Sequence, residues 1–530
     1  MKNKKLLLAL LVLPLTACVN PFSRKPLVIP NVDVENLEVK LPDLPTYNSG
    51  EIRHDETYDY IDMYEVSDFH GAVEYEEHSE RAYLGLQKLA TYLDEKRNSN
   101  KGGTLLLSSG DMFQGSADSN LTRGYMVNYA MHYMGFDAMA VGNHEFDWTE
   151  EWLKKNAELK YGDHQIPYLA ANILKGSEIP SYLNKSTIIQ RGAYKIGVIG
   201  VIGSKLEDSI LKSAVAGFDF VPYGDIVSEE ANRLKKQEGC NAVVLLAHDQ
   251  ADKLETFNDV DGAFGGHAHD NYSVMCNGIP SIATENYGSA VAHMAFKFDK
   301  TTHEFVGVED GYGYQRFTSS DSSIQNHAEI GKIMSQYAPE INKIKDIKLG
   351  KCDAELSSDK ALKNLCTETM FESAVSFADS IDEVNSSDIV AAFTNHEGGI
   401  RDNIKEGKIT YGNVFKCFPF DNEVVLFKAT GAEIKGNDGI QKLSQLGCYR
   451  IFEKASYFES EKEYWIATTD YLAFTEQISK FKSLGEEDLI RTGKIVRDEV
   501  ASKIYSLKKV KSEVYEANNP KFKSIPTVFF

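Results

Sequence analysis

The sequence predicts an α/β layered fold, and three observations carry that reading. From Tyr58 onward, short apolar runs alternate with segments of helical spacing, the pattern of sheets covered by helices. The chain has 530 residues, enough for two or three domains, and its 42% hydrophobic and 25% charged residues make an ordinary globular composition. Several of the apolar runs end in an aspartate, an asparagine or a histidine, and open α/β sheets form their sites at the carboxyl ends of strands.

In chain order, Lys2, Lys4 and Lys5 precede the apolar run Leu6 to Leu15, and Leu-Thr-Ala-Cys closes the segment at Cys18. Residues 1–18 therefore read as an export signal whose apolar run is too short to span a bilayer. A cysteine directly after Leu-Thr-Ala resembles a bacterial lipobox. That implies cleavage before Cys18, acylation of its thiol and new amine, and a protein exported and lipid-anchored to a bacterial membrane, on its periplasmic or cell-surface face. The alternative is an ordinary signal peptide with a chance cysteine; the leucine, the small residues and the cysteine all falling in place speak against it. Residues 19–57, rich in Pro, Asn and acidic residues, read as a flexible tether.

The main domain is expected over 58–325, with its clearest strands in YIDMYEV, GTLLLSS, FDAMAV, YKIGVIGV and NAVVLLA. Asn326 to Ile347 has helical spacing with few turn signals apart from Pro339, and predicts a linker helix over 326–348. A second mixed segment fills 349–530. The net charge of −21 argues against extended nucleic acid as a partner and leaves room for a small anion held by a local field. Export would place the remaining six cysteines in an oxidising compartment. Pairing neighbours (Cys240 with Cys276, Cys352 with Cys366, Cys417 with Cys448) is the simplest of the fifteen connectivities that six cysteines allow. No C-x-x-C occurs, so a cysteine-rich zinc knuckle is not expected.

The strand ends carry the chemistry. YEV runs into SDFHG with Asp68 and His70, TLLLSS into GDMFQGS with Asp111, and MAV into GNHEFD with Asn143, His144 and Asp147. VVLLA runs into His248, and GAF into GGHAH with His267 and His269. Asp, His and Asn together suit a borderline or hard divalent metal. Asp68 and His70 are two residues apart, so a bend is needed for both to face one ion. A single GNH loop is far more often a turn than a metal site. Five polar blocks in order, holding five of the 13 histidines, are a poor fit to chance.

These blocks resemble the calcineurin-like metallophosphoesterases, and specifically the 5′-nucleotidase family that includes the periplasmic UDP-sugar hydrolases. The resemblance implies a four-layer α/β/β/α metallophosphoesterase domain followed by a smaller α/β substrate-binding domain. It implies two divalent ions, for which zinc, manganese and iron all fit. Asp68, His70 and His269 would bind one; Asn143, His248 and His267 would bind the other; Asp111 would bridge both. His144 would face the phosphoryl group, with Asp147 holding its orientation and favouring its charged form. Two divalent ions against two aspartates leave about two positive charges, which complements a phosphoryl group gaining charge, and the ions would turn a water into the nucleophile. Ser67 and Ala247 stand where the family usually has Asn and Ser; neither change removes a ligand.

Residues 395–427 resemble the family's C-terminal substrate domain. Asn395, Gly398, Gly399 and Arg401 match its Asn-x-Gly-Gly-Ile-Arg with one extra residue after the asparagine, and Phe420 matches the aromatic that stacks on the base. Arg401, an always-charged fork, suits a phosphate or carboxylate. SSDKALKNL lacks the family's nearby arginine, with only Lys360 and Lys363 as neighbouring cations. TTDYLAF is not followed by the glycine motif that supplies a second stacking aromatic, which leaves Tyr471 or Phe474 to stand in. The function implied is an exported 5′-nucleotidase releasing phosphate from nucleoside monophosphates. The alternatives are a UDP-sugar, 2′,3′-cyclic nucleotide or other phosphoesterase, and a surface binding lipoprotein that reuses the fold.

Overall fold

A computed structural model describes residues 27–47, 49–395, 398–435, 458–479 and 481–516. Cys18 and Cys448 lie outside the described residues, as do residues 396 and 397 within the Asn395–Arg401 loop.

Two six-membered strand orders face each other in the first half of the chain. One runs Phe305–Val308, Ala290–Asp299, Tyr58–Glu65, Thr104–Ser108, Ala138–Ala140, Tyr168–Leu169, with Gly313–Arg316 paired alongside Ala290–Asp299. The other runs Tyr272–Cys276, Ile279–Ala283, Gly262–Gly265, Ala242–His248, Tyr194–Ile202, Ser186–Arg191. Side-chain alternation explains how the sheets pack. Ile61, Met63, Leu105 and Leu107 point inward to meet Ile196, Val198, Val244 and Leu246 of the opposite sheet. Their neighbours Tyr64, Leu106, Met139 and Val141 point outward into a core shared with helices Gly85–Ser99, Tyr125–Met134 and Ala328–Lys345. On the far side Ile199, Val201, Val243 and Leu245 meet helix Gly224–Lys236. The result is four layers, α/β/β/α. Because each central strand is buried on both faces, its sequence is a continuous apolar run rather than an alternating one.

The central strands are parallel: Tyr58–Glu65 with Thr104–Ser108, Thr104–Ser108 with Ala138–Ala140, and Ala242–His248 with both Tyr194–Ile202 and Gly262–Gly265. Parallel pairing puts all their carboxyl ends at one edge of the sandwich, so the loops that follow them meet there.

The second half builds a separate sheet, Ile389–Ala392, Glu463–Thr469, Glu423–Thr430, Ile490–Ile495, packed on helices Ala361–Ala378 and Val496–Leu507. Helix Ala328–Lys345 joins the two cores: Ile330, Ile333, Tyr337 and Ile341 sit in the first and Ile344 in the second. It accommodates Pro339 in its interior.

Two expectations change here. The segment expected as a flexible tether packs against both cores from residue 27 on. Leu27, Ile29 and Val32 lie against the second core, and Val32, Val34, Leu37, Val39, Leu41 and Leu44 against the first. Polar contacts fix it further: Tyr47 donates to the Tyr133 carbonyl at 2.7 Å, and the Arg97 guanidinium lies 3.8 Å from the Tyr47 ring centroid. Proline and acidic residues hid an apolar stripe that needs a partner surface. The pairings of Cys240 with Cys276 and of Cys352 with Cys366 are also corrected, while the pairing of Cys417 with Cys448 falls outside the described residues. Cys240, Cys276, Cys352, Cys366 and Cys417 are all buried free thiols. Cys352 donates to the Lys405 carbonyl at 3.2 Å and Cys366 to the Met370 sulfur at 3.9 Å, so each is satisfied apart from its supposed partner. Burial pushes the Cys366 thiol up to about 12, out of the reactive range.

Candidate metal centre and interdomain cavity

The polar loops at the strand ends are zipped to one another by their backbones. Asp68 N–H donates to the Gly110 carbonyl, His70 N–H to the Asp111 carbonyl and Gly71 N–H to the Met112 carbonyl, each at 3.0 Å. Glu145, to which the motif reading assigns no role, clasps two of the loops. Its carboxylate accepts from the backbone N–H groups of Gly142 (2.7 Å), Asp111 (2.8 Å) and Met112 (2.9 Å). Glycine is required where the loops touch: a Cβ on Gly142 would stand 2.2 Å from Asp111 Oδ1. The bend needed between Asp68 and His70 is made in left-handed backbone, with φ of 50° and 48°; Asp111, His267 and His269 share that region at 55°, 67° and 57°. Non-glycine residues avoid this conformation, and clusters of such strain mark functional sites held by their surroundings.

The side chains converge. Asp68, His70 and His269 form one group, Asp111, His248 and His267 a second, and His70, Asp111 and His144 a third; within each group the donor atoms lie within 4.8 Å of one another. Asn143 Oδ1 faces His248 Nε2 at 2.9 Å and His267 Nδ1 at 3.0 Å. His248 Nε2 is 3.3 Å from Asp111 Oδ2, and His269 Nε2 is 3.5 Å from Asp68 Oδ1. The outward ring nitrogens are tied off: His248 Nδ1 donates to the Ser109 carbonyl at 2.8 Å and His70 Nδ1 to the Gln114 carbonyl at 3.0 Å. In the neutral rings the inward nitrogens then carry lone pairs, aimed at other lone pairs.

This donor set fits a cation. Electron-pair donors packed this closely are unsatisfied unless positive charge lies among them. The electrostatics agree: burial opposes a charge on His248, yet Asp111 and Asp68 outweigh it and lift the imidazole to about 10. Asp111 is held well below the usual carboxylate range: burial opposes its charge, but His248 and His144 favour it more. Burial and the neighbouring His248 push His267 down to about 4.

His144 stands beside this centre. Its Nδ1 is 2.9 Å from Asp147 Oδ2, and although burial opposes the charge, Asp147 and Asp111 raise the imidazole to about 9. Its backbone N–H donates to Asp111 Oδ1 at 2.8 Å.

A cavity of about 320 Å³ opens from the centre toward the second domain. Asp111, Asn143, His144, Asp147, His267 and His269 line one side, and Asn395, Gly398, Gly399, Arg401 and Phe420 line the other. The Phe420 ring stacks on His144 at 5.7 Å and 30°, and the Arg401 guanidinium lies 5.1 Å from the Phe420 centroid. Asn395 Oδ1 is buried without a hydrogen-bond partner among the described residues. Of the two candidates for a second aromatic, Tyr471 lines the cavity, whereas Phe474 meets Lys212 at 5.1 Å. Lys360 and Lys363 are not among the lining residues. Trp148 and Leu211 also line it and carry no motif that would have marked them; Gln114, inside GDMFQGS, lines it as well.

Comparison with known families bears directly on this arrangement. Residues 64–271 match the calcineurin-like phosphoesterase family, and residues 341–437 match the 5′-nucleotidase C-terminal domain. The chain carries a calcineurin-like phosphoesterase domain followed by a 5′-nucleotidase C-terminal domain. It is a phosphoric ester hydrolase, and the phosphoesterase fold implies divalent metal ions, for which the Asp/His groups above are the candidate sites. Relatives include the Aedes aegypti protein named apyrase, 26% identical over 80% of this chain and 84% of its own length. Escherichia coli UshA is 24% identical over 76% of this phosphoesterase and 80% of itself. The Bacillus subtilis endonuclease YhcR is 26% identical over 66% of this chain, which spans only 29% of that larger protein. A solved structure, the 5′-nucleotidase precursor from Thermus thermophilus, shares the fold with a TM-score of 0.66, 20% identity, and coverage of 85% of this chain and 97% of its own.

Proposed function

We propose that this phosphoesterase is an exported, lipid-anchored 5′-nucleotidase that releases phosphate from nucleoside monophosphates. The observation that carries the reading is the single cavity in which the Asp/His centre and His144 face Phe420 and Arg401 of the second domain. In this proposal 58–325 is the catalytic domain, 326–348 the linker helix and 349–530 the substrate domain. Asp68, His70 and His269 would hold one ion, Asn143, His248 and His267 the other, and Asp111 would serve both. When bound, two such ions polarise the phosphoryl oxygens and lower the pKa of a water.

The chain's own residues do the rest. His144, kept charged by Asp147, hydrogen-bonds the phosphoryl group and gives a proton to the nucleoside oxygen as the P–O bond breaks. Arg401 offers a planar fork to the phosphate, and Phe420 with Tyr471 gives the base a flat surface. Asn395 Oδ1, which has no partner among the described residues, can accept from a base amine or a ribose hydroxyl.

Stacking of a base on an aromatic ring is worth about 1–3 kcal/mol, so Phe420→Ala is expected to lower kcat/KM for AMP by about 5- to 150-fold. Ribose 5-phosphate, which has no base, should be hydrolysed equally by both proteins. Equal wild-type kcat/KM for AMP and ribose 5-phosphate would remove the claim of base recognition, and a panel with UDP-glucose and 2′,3′-cyclic AMP separates the alternatives. The lipid anchor at Cys18 is part of the same proposal; membrane partitioning that Cys18→Ser leaves unchanged would sink it.

A further inference from the structure

A second cavity, of about 330 Å³, lies beside the same centre and is reached past His70. It shares Gln114, Arg401 and Pro419 with the first cavity, so the two adjoin there, one lined by Asp111, Asn143, His267 and His269 and the other by His70. One wall is aromatic and leads outward from the centre. His70 and Tyr287 have ring centroids 5.7 Å apart, Tyr287 and Tyr83 4.9 Å, and Tyr83 and His78 4.3 Å. The opposite wall is charged and joins both domains: Lys416 Nζ lies 2.8 Å from Glu76 Oε2 and 3.1 Å from Asp402 Oδ2. Between the cavities, the Arg401 guanidinium packs on Phe420 and forms no ion pair with any described residue.

We propose that this second cavity holds the sugar ring of a second ester arm, so that the enzyme cleaves linear nucleoside phosphodiesters as well as monoesters. A monoester has one arm and needs only the Phe420 cavity. A phosphorus beside the ligand cluster, with Arg401 alongside, has room for an arm in each cavity. The chemistry of the second cavity selects a sugar over a second base. Its rings are tilted at 45° to 54° to one another, a bent wall rather than a parallel slot for a flat heterocycle. Carboxylates of Glu76 and Asp402 can accept from hydroxyl groups, and they disfavour a further phosphate. In the reaction, water oxygen bonds to phosphorus, the P–O bond to the second sugar breaks, and the proton leaves on that sugar's oxygen. The nucleoside monophosphate that remains is the substrate of the reaction proposed above. The inference rests on that reading for the placement of the nucleoside in the Phe420 cavity.

The test compares two diesters of equal charge, adenylyl-3′,5′-adenosine and the methyl ester of AMP, with AMP itself alongside. Wild-type kcat/KM is expected to favour the dinucleoside over the methyl ester by about tenfold or more, the worth of a hydroxyl hydrogen bond and some buried apolar surface of the sugar. Tyr83→Ala and Tyr287→Ala should each bring that ratio down toward one, and Tyr287→Phe should keep it. Tyr83 touches none of the ligands, so its variant decides the matter if Tyr287→Ala disturbs metal content. A wild-type ratio near one, or a ratio that neither alanine variant moves, overturns the proposal. Turnover of AMP without either diester overturns it and leaves the nucleotidase reading standing. Turnover of the dinucleoside without AMP does the reverse.

Discussion

Asp111→Asn is expected to lower kcat about a thousandfold or more and to reduce the metal bound per chain. The substitution keeps the size of the side chain and removes one negative charge from a group that is 1% exposed. Asp111 belongs to two of the three ligand groups, so it is the carboxylate that links His248 and His267 with His70 and His144. Its Oδ1 also receives the His144 N–H at 2.8 Å, and its own N–H is held by Glu145. A unit-charge pair about 4 Å apart is worth on the order of 4 kcal/mol at an effective dielectric of about 20, roughly three factors of ten. An amide in its place also leaves one acceptor oxygen where the carboxylate has two. Turnover in metal-replete buffer and metal content by elemental analysis measure the two effects. Near-normal turnover with a full metal complement would show that Asp111 bridges nothing.

Much of the fold was legible because burial on both faces writes apolar runs straight into the sequence. YIDMYEV, TLLLS, YKIGVIGV and AVVLLAH fall on Tyr58–Glu65, Thr104–Ser108, Tyr194–Ile202 and Ala242–His248. The polar residues that follow each run were equally visible, since a parallel strand's carboxyl end needs a reason to carry Asp, Asn or His. Relationships made only in three dimensions were not. Glu145 acts on backbone N–H groups 33 and 34 residues away, and nothing in GNHEFD distinguishes it from a spacer. Asn286, whose amide meets His269 Nδ1 at 2.9 Å, lies in a TENYG stretch with no motif to mark it. Cys352 and Cys366, paired by proximity in sequence, prove to be buried thiols facing the Lys405 carbonyl and the Met370 sulfur instead. The segment before Tyr58 looked like a tether because its hydrophobic residues are spaced by prolines and acids; their pairing surface lies on two different cores.

Arg497→Met is expected to cost about 1–3 kcal/mol of stability, from the backbone carbonyls it leaves without a donor, and to loosen the substrate cavity with it. Arg497 is 6% exposed, with its guanidinium 3.9 Å from the Phe415 ring centroid. Its Nη1 donates to the carbonyls of Phe418 (3.3 Å), Pro419 (3.4 Å) and Phe420 (3.2 Å), and its Nη2 pairs with Asp421. The turn that presents Phe420 is thus gathered around one side chain. The same turn is gripped from the other domain: the Pro419 carbonyl accepts from Asn120 Nδ2 at 2.8 Å and from Gln114 Nε2 at 3.3 Å, and Arg123 meets Asp421 at 3.2 Å. Methionine fills similar length but leaves the carbonyls of Phe418 and Phe420 without this donor and Asp421 without its nearer cation. Phe420 then loses its fixed stack over His144. The expected result is a lower denaturation midpoint together with a raised KM for AMP, while ribose 5-phosphate, which does not use the Phe420 ring, keeps its KM. Arg497→Lys, with charge but no fork, should recover only part of the stability. A midpoint and an AMP KM both unchanged in Arg497→Met would mean that the turn is held from the other domain alone.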